Sequence, residues 1–161
     1  MKKLTALLLA LIMCLSFAAC GDEGGVTVDG IKNHTTNYLV EYFEDESLGE
    51  VTEYEEKDGA VAFNYCDDLA WVVIGTEDGA VKNISANVYL YRLEQAGYSE
   101  PMAMAVALAP IPASAVYQGG DPVALFEALI NDEDMTVENN GWEFSLTLND
   151  SYFAISAEKI D

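Results

Sequence analysis

Residues 51–92 read VTEYEEKDGAVAFNYCDDLAWVVIGTEDGAVKNISANVYLYR. Four runs rich in β-branched and aromatic residues alternate with Asp58-Gly59, Asp67-Asp68 and Asp78-Gly79, residue types that tolerate the positive φ of tight hairpin turns. The pattern predicts a four-stranded antiparallel meander. The charged VTEYEE run suits an edge strand. The stretch at 69–74 is apolar on both faces, which predicts an interior strand with Trp71 in the core.

On the carboxyl side, Ser99 reads as the N-cap of a small-residue segment, PMAMAVALA, stopped by Pro110 and Pro112. Alanine favours a buried helix there, although the alternation also permits a strand. Asp121-Pro122 then sets an N-cap before a proline at the first helical position, leading into Val123, Leu125, Phe126, Leu129 and Ile130 at helical spacing. The remainder, from Met135, reads as two or three strands turned at Asn140-Gly141 and Asn149-Asp150. On the amino side, Tyr38, Leu39, Tyr42 and Phe43 recur at helical spacing, predicting a helix over 35–45 capped by Thr35 or Thr36. The order implies an α+β fold. A mostly antiparallel sheet, a meander of about four strands plus a C-terminal hairpin, carries two or three helices on one face of a single domain spanning 31–161.

The first twenty residues, MKKLTALLLALIMCLSFAAC, place two lysines, an apolar run from Leu4 and small residues before a cysteine. That order is the layout of an export signal. Phe17, Ala18, Ala19 and Cys20 resemble the lipobox of bacterial lipoproteins, with Phe17 departing from the usual aliphatic residue. The resemblance implies a signal peptide over 1–19 and lipid attachment at Cys20. It also implies an extracytoplasmic location at the outer leaflet of the cell membrane. The alternative is ordinary cleavage after Ala18, which would release a soluble secreted chain. The apolar run falls short of the ~20 residues of a membrane span. GDEGGVTVDG, residues 21–30, reads as a flexible tether.

The chain has 161 residues, with 7 basic and 28 acidic side chains and a formal charge of −21; losing Lys2 and Lys3 with the leader deepens the imbalance. Such a field disfavours nucleic acid and anionic surfaces and favours cationic or basic partners, besides keeping the protein dispersed. With Cys14 in the leader and Cys20 modified, Cys66 has no intramolecular partner, so the domain must hold by its core.

Catalytic motifs are sparse. Ser-His or Cys-His chemistry needs a histidine, and the single one, His34, is expected beside the tether ahead of the first helix. One His and one free Cys do not make a zinc site, and no Gly-rich phosphate loop occurs. Calcium asks for six to eight oxygens, which the acidic loops at 44–46 and at Asp132, Glu133 and Asp134 could supply, without EF-hand spacing. Trp142, with Tyr89 and Tyr91 on one strand face, is the candidate aromatic binding surface. These features predict no catalytic centre and no cofactor beyond that calcium option. The expected protein is a lipid-anchored, non-catalytic binding module for a protein or an envelope glycan. The alternatives are a small carboxylate-dependent hydrolase of wall glycan, an inhibitor of a secreted enzyme, or a structural envelope protein.

Overall fold

The computed structural model describes residues 26–43, 50–57 and 59–160. The leader, Cys20 and the acidic loop at 44–46 lie outside them.

The first helix, α1 (Val28–Phe43), begins seven residues earlier than its aromatic periodicity suggests. Thr27 explains the difference. Its hydroxyl accepts from Gly30 N (3.0 Å) and its carbonyl accepts from Ile31 N (3.1 Å), which is how an N-cap satisfies the free amides of a first turn. Gly30, expected in the tether, is therefore helical. Thr35 is no cap: it is fully buried, and its hydroxyl donates to Ile31 O within the helix (2.8 Å).

Four strands follow, β1 (Thr52–Lys57), β2 (Ala60–Tyr65), β3 (Ala70–Glu77) and β4 (Ala80–Tyr89), paired in an antiparallel meander. Asp78 and Gly79, at φ 52° and 79°, form the two-residue turn their types predict. Cys66, Asp67 and Asp68 take three consecutive left-handed conformations (φ 55°, 52° and 63°) in the loop between β2 and β3. The helical segments α2 (Leu90–Gln95), α3 (Pro101–Leu108), α4 (Pro110–Ser114) and α5 (Pro122–Asn131) come next. The small-residue segment is thus a helix. Glu100 occupies its N-cap position in place of Ser99, without a side-chain bond, while Asp121 caps α5 by accepting from Val123 N (2.9 Å).

The chain closes with β5 (Thr136–Asn139), β6 (Trp142–Leu148) and β7 (Tyr152–Lys159). The last strands of the two meanders pair antiparallel, giving one seven-stranded sheet in the order β1-β2-β3-β4-β7-β6-β5. This is the α+β architecture expected, with β1 at an edge.

All helical packing falls on one side. Phe63, Tyr65, Val72, Ile74, Phe144 and Phe153 point to that side and are essentially fully buried. The Tyr117 ring meets Phe144 edge-on (5.5 Å between centroids) and the Phe126 ring lies 6.0 Å from Phe153. The Tyr65 hydroxyl donates to Leu108 O (2.9 Å), tying β2 to the end of α3. The opposite face of the sheet is covered by no helix among the described residues. β3 therefore differs from expectation: it is an interior strand, but Trp71 and Val73 face the open side and are only half-buried.

Candidate functional site

The pairing registers arrange the open face in rows that cross the strands, spaced about 6.8 Å apart at ~3.4 Å per residue. One row runs Asn64, Trp71, Asn87, Ala154, Thr147 from β2 to β6. The next runs Ala62, Val73, Ser85, Ser156, Ser145, Thr136, reaching β5. Short hydroxyl and amide groups dominate the middle. Asn87 Nδ2 donates to Ser85 Oγ (3.2 Å), and Ser156 Oγ lies 3.4 Å from Ser85 Oγ. Asn64 is 3% exposed; its Nδ2 donates to Asp68 Oδ1 (2.7 Å), while its Oδ1 has no partner among the described residues.

Aromatic residues close one end of this face. Tyr89 and Tyr152 are directly opposite across β4 and β7, with ring centroids 6.4 Å apart. Tyr91 lies 5.9 Å from Tyr89, and the Arg92 guanidinium stands 5.7 Å over the Tyr89 ring. Arg92 is fixed by donating Nη1–H to Asp68 O (2.8 Å) and Nε–H to the Tyr91 hydroxyl (3.3 Å). The expected surface therefore exists in altered form. Tyr89 is half-buried and Tyr91 is 50% exposed, but Tyr91 belongs to α2, and the chain turn between them, not strand alternation, brings the rings together. Trp142 is not part of it: at 5% exposure it points into the helical layer in phase with Phe144 and Leu146. Tyr152 and Arg92 join in its place.

Carboxylates close the other end. Glu138, Glu143 and Glu158 are directly opposite one another on β5, β6 and β7. Like charges in that relation repel. Asn83 continues the row, with its side-chain oxygen accepting from Gly75 N (3.2 Å), and Lys82, the extra residue of the β4 bulge, lies next to it on the same face. Lys82, beside the row, pairs with Glu77 (3.6 Å).

The remaining sequence candidates lie elsewhere. His34 sits within α1, not before it, and its Nε2 is 2.8 Å from Ser114 Oγ. The Ser114 hydroxyl donates to Ile111 O (2.7 Å), so the ring presents Nε2–H to Ser114 and keeps Nδ1 as acceptor. Burial lowers the imidazole pKa, opposed in part by the Ile111 carbonyl. Ser114 is fully buried on α4, so this pair fastens α1 to α4 instead of offering a nucleophile to a substrate. Asp132, Glu133 and Asp134 are exposed after α5. Asp132 Oδ1 accepts from Asp134 N (2.9 Å) and Thr136 N (3.3 Å), which sets the turn into β5. Among the described residues no group of three or more His, Cys, Asp or Glu side chains is disposed to hold a metal ion. Cys66 is buried, and desolvation, with Asp67 beside it, pushes its thiol up to about 11.

A shallow apolar groove of about 240 Å³ marks the outer surface of the helical layer, between Tyr38 and Tyr42 of α1, Val106 of α3, Pro110, and Val123 and Phe126 of α5. No described helix is long and apolar enough to cross a membrane. No family model matches this chain, and neither a curated protein nor a solved structure is similar to it.

Proposed function

We propose that the protein is an extracytoplasmic lipoprotein, held at the outer leaflet through Cys20, that works as a non-catalytic binding module with its open sheet face as the binding surface. The observation that carries this reading is the division of labour between the two faces. The core and all helical packing take one side of the sheet, while the other carries Trp71 and Val73 on β3 and short polar side chains from β4 to β6, between a tyrosine end and a carboxylate end. A sheet face fixed by seven paired strands is preorganised, so little ordering entropy is lost when a ligand lies on it. The anchor supplies location: a chain of about ten residues reaches at most roughly 33 Å, which keeps the domain near the membrane surface.

The test has two arms. Cys20→Ala should move the protein from the membrane fraction to the medium, and mass spectrometry of the native protein should find a diacylglyceryl adduct on Cys20. Ser85→Arg, which places a long cation in the centre of the open face, should abolish retention of the detergent-solubilised protein on isolated bacterial envelope fragments. An unmodified Cys20 thiol would sink the anchoring half. Retention unchanged by Ser85→Arg would sink the binding-face half.

A further inference from the structure

We infer that the apolar groove on the outer surface of the helical layer is a docking site for a basic amphipathic helix of a partner protein. It is separate from the open sheet face and does not depend on that face binding anything. Three helices line it: α1 with Tyr38 and Tyr42, whose stacked rings lie 6.0 Å apart, α3 with the small residues Ala103 and Ala107, and α5 with Val123 and Phe126. Tyr42 is 58% exposed and Val123 54%. Ile130, also exposed, extends the Val123 and Phe126 face along α5, so apolar side chains continue past the groove itself. Single exposed hydrophobic residues are ordinary, whereas a contiguous group drawn from several helices marks a contact surface.

Size and charge together name the occupant. At about 240 Å³ the groove is smaller than the roughly 300–1,000 Å³ of small-molecule pockets, so it suits the side-chain anchors of a macromolecule better than an enclosed ligand. Glu41, exposed three residues after Tyr38 on α1, and Glu127, exposed four residues after Val123 on α5, share the helical faces that line the groove, and Glu100 stands at the N-cap position of α3. No Lys or Arg occurs on α3, α4 or α5. On α1 the basic residue is Lys32, six positions before Tyr38 and about 9 Å away at ~1.5 Å per residue. The other cations among the described residues, Lys57, Lys82, Arg92 and Lys159, belong to strands and to α2. A second copy of the chain, with its formal charge of −21, would bring the same carboxylates to the contact, and an anionic lipid surface is repelled in the same way. The groove instead complements apolar anchors flanked by Lys or Arg. An amphipathic helix presents such anchors at i, i+3 or i+4 and i+7, the mode by which a partner helix fills an apolar groove.

The experiment is calorimetric titration of the mature protein, in neutral-lipid nanodiscs if it is anchored and in plain buffer if it is secreted, at about 0.15 M salt. The probes are a Leu/Lys peptide of about eighteen residues with its leucines at helical spacing, the same composition with the leucines scattered, and a Leu/Glu version of the first. The first peptide should bind at least about ten-fold more tightly than either of the others. Val123→Asp, an acid well tolerated in the first turn of α5, should weaken it by a similar factor with the melting temperature of the free protein unchanged. Glu127→Lys should weaken it and flatten its salt dependence, while Ser85→Arg on the sheet leaves it unaltered. Failure of the amphipathic basic peptide to bind, equal affinity for the scattered or the Leu/Glu peptide, or binding indifferent to Val123→Asp overturns the inference. A wild-type dimer in sedimentation that Val123→Asp dissolves would assign the groove to a second copy, and vesicle binding lost in that variant would assign it to lipid; either result overturns the inference as well. Peptide binding abolished by Ser85→Arg but not by Val123→Asp would move the site to the open sheet face and leave only the earlier reading standing.

Discussion

Tyr65→Phe should destabilise the domain by about 1–3 kcal/mol, the cost of leaving a buried acceptor without its donor. The reason lies in the prolines that follow α3. A helical carbonyl normally accepts from the amide four residues on, but the residue four beyond Leu108 is Pro112, which has no N–H. The Tyr65 hydroxyl, reaching across the layers from β2, donates to Leu108 O instead (2.9 Å), and both residues are fully buried, so water cannot substitute. The substitution keeps the ring and its packing, which isolates the hydrogen bond. In urea unfolding with a slope of roughly 2 kcal/mol per molar, the midpoint should fall by about 1 M with the slope unchanged. Pro112→Ala offers an internal check, since it restores an amide that can reach Leu108 O within the helical turn. It should recover a good part of the loss in the Tyr65→Phe background while adding little to the wild type. A midpoint shift under about 0.2 M, or a double variant no more stable than Tyr65→Phe alone, would show that Leu108 O does not depend on Tyr65.

His34 gives a pH dependence of defined sign. Burial lowers its folded pKa below the ordinary 6.5, so its contribution to stability is intact above that value and is lost as pH falls below it towards the lowered folded value. Between pH 7.5 and 5.5 the wild type should therefore lose more stability than His34→Gln, and parallel urea midpoints for the two proteins would be the contrary result. Cys66, raised to about 11 and buried, should resist a thiol reagent at pH 8 in the native protein and react at once in urea; stoichiometric native labelling at Cys66 would contradict its placement. Trp142→Ala, which empties a site 5% exposed in the helical layer, should cost about 3–5 kcal/mol, against clearly less for Trp71→Ala on the open face. Equal losses in thermal or urea unfolding would mean that the two faces are misassigned.

The two tryptophans also measure what was readable in advance. WEFSLTL alternates Trp142, Phe144, Leu146 and Leu148 with polar residues, a period-two signal that places Trp142 with the core. Its position next to the Asn140-Gly141 turn suggests exposure instead, and the alternation prevails because the neighbouring strand fixes the pleat: Trp142 is opposite Lys159, in phase with Ala157 and Ile155. Trp71 errs the other way. AWVVI is apolar at every position, so it looks buried on both faces, yet helices cover only one. The start of α1 was hidden by Gly30, a poor helix residue whose cost is offset by the Thr27 cap and by burial of Ile31 and Leu39. The four-stranded meander, the three-stranded C-terminal unit and the capped α5 follow from turn chemistry and period, both local properties, and were legible for that reason.

The candidate site was legible only in fragments because its parts meet through register. Tyr89 and Tyr152 are sixty-three positions apart in the chain and become neighbours when β7 pairs with β4. Glu138, Glu143 and Glu158 look like three of 28 dispersed acids until the hairpins align them. Elsewhere the chain keeps local and global preferences in agreement: Asp and Asn with Gly at the turns, Thr27 and Asp121 at helix starts, apolar residues on the covered face. Sequences that fold well do so throughout, and the places where a chain departs from its own consistency are where function is expected. A ladder of three glutamates on adjacent strands is such a departure, since glutamine at the middle position would serve the fold better. Glu143→Gln should therefore raise the melting temperature of the protein, and an unchanged or lower melting temperature would show that the row carries no net repulsion.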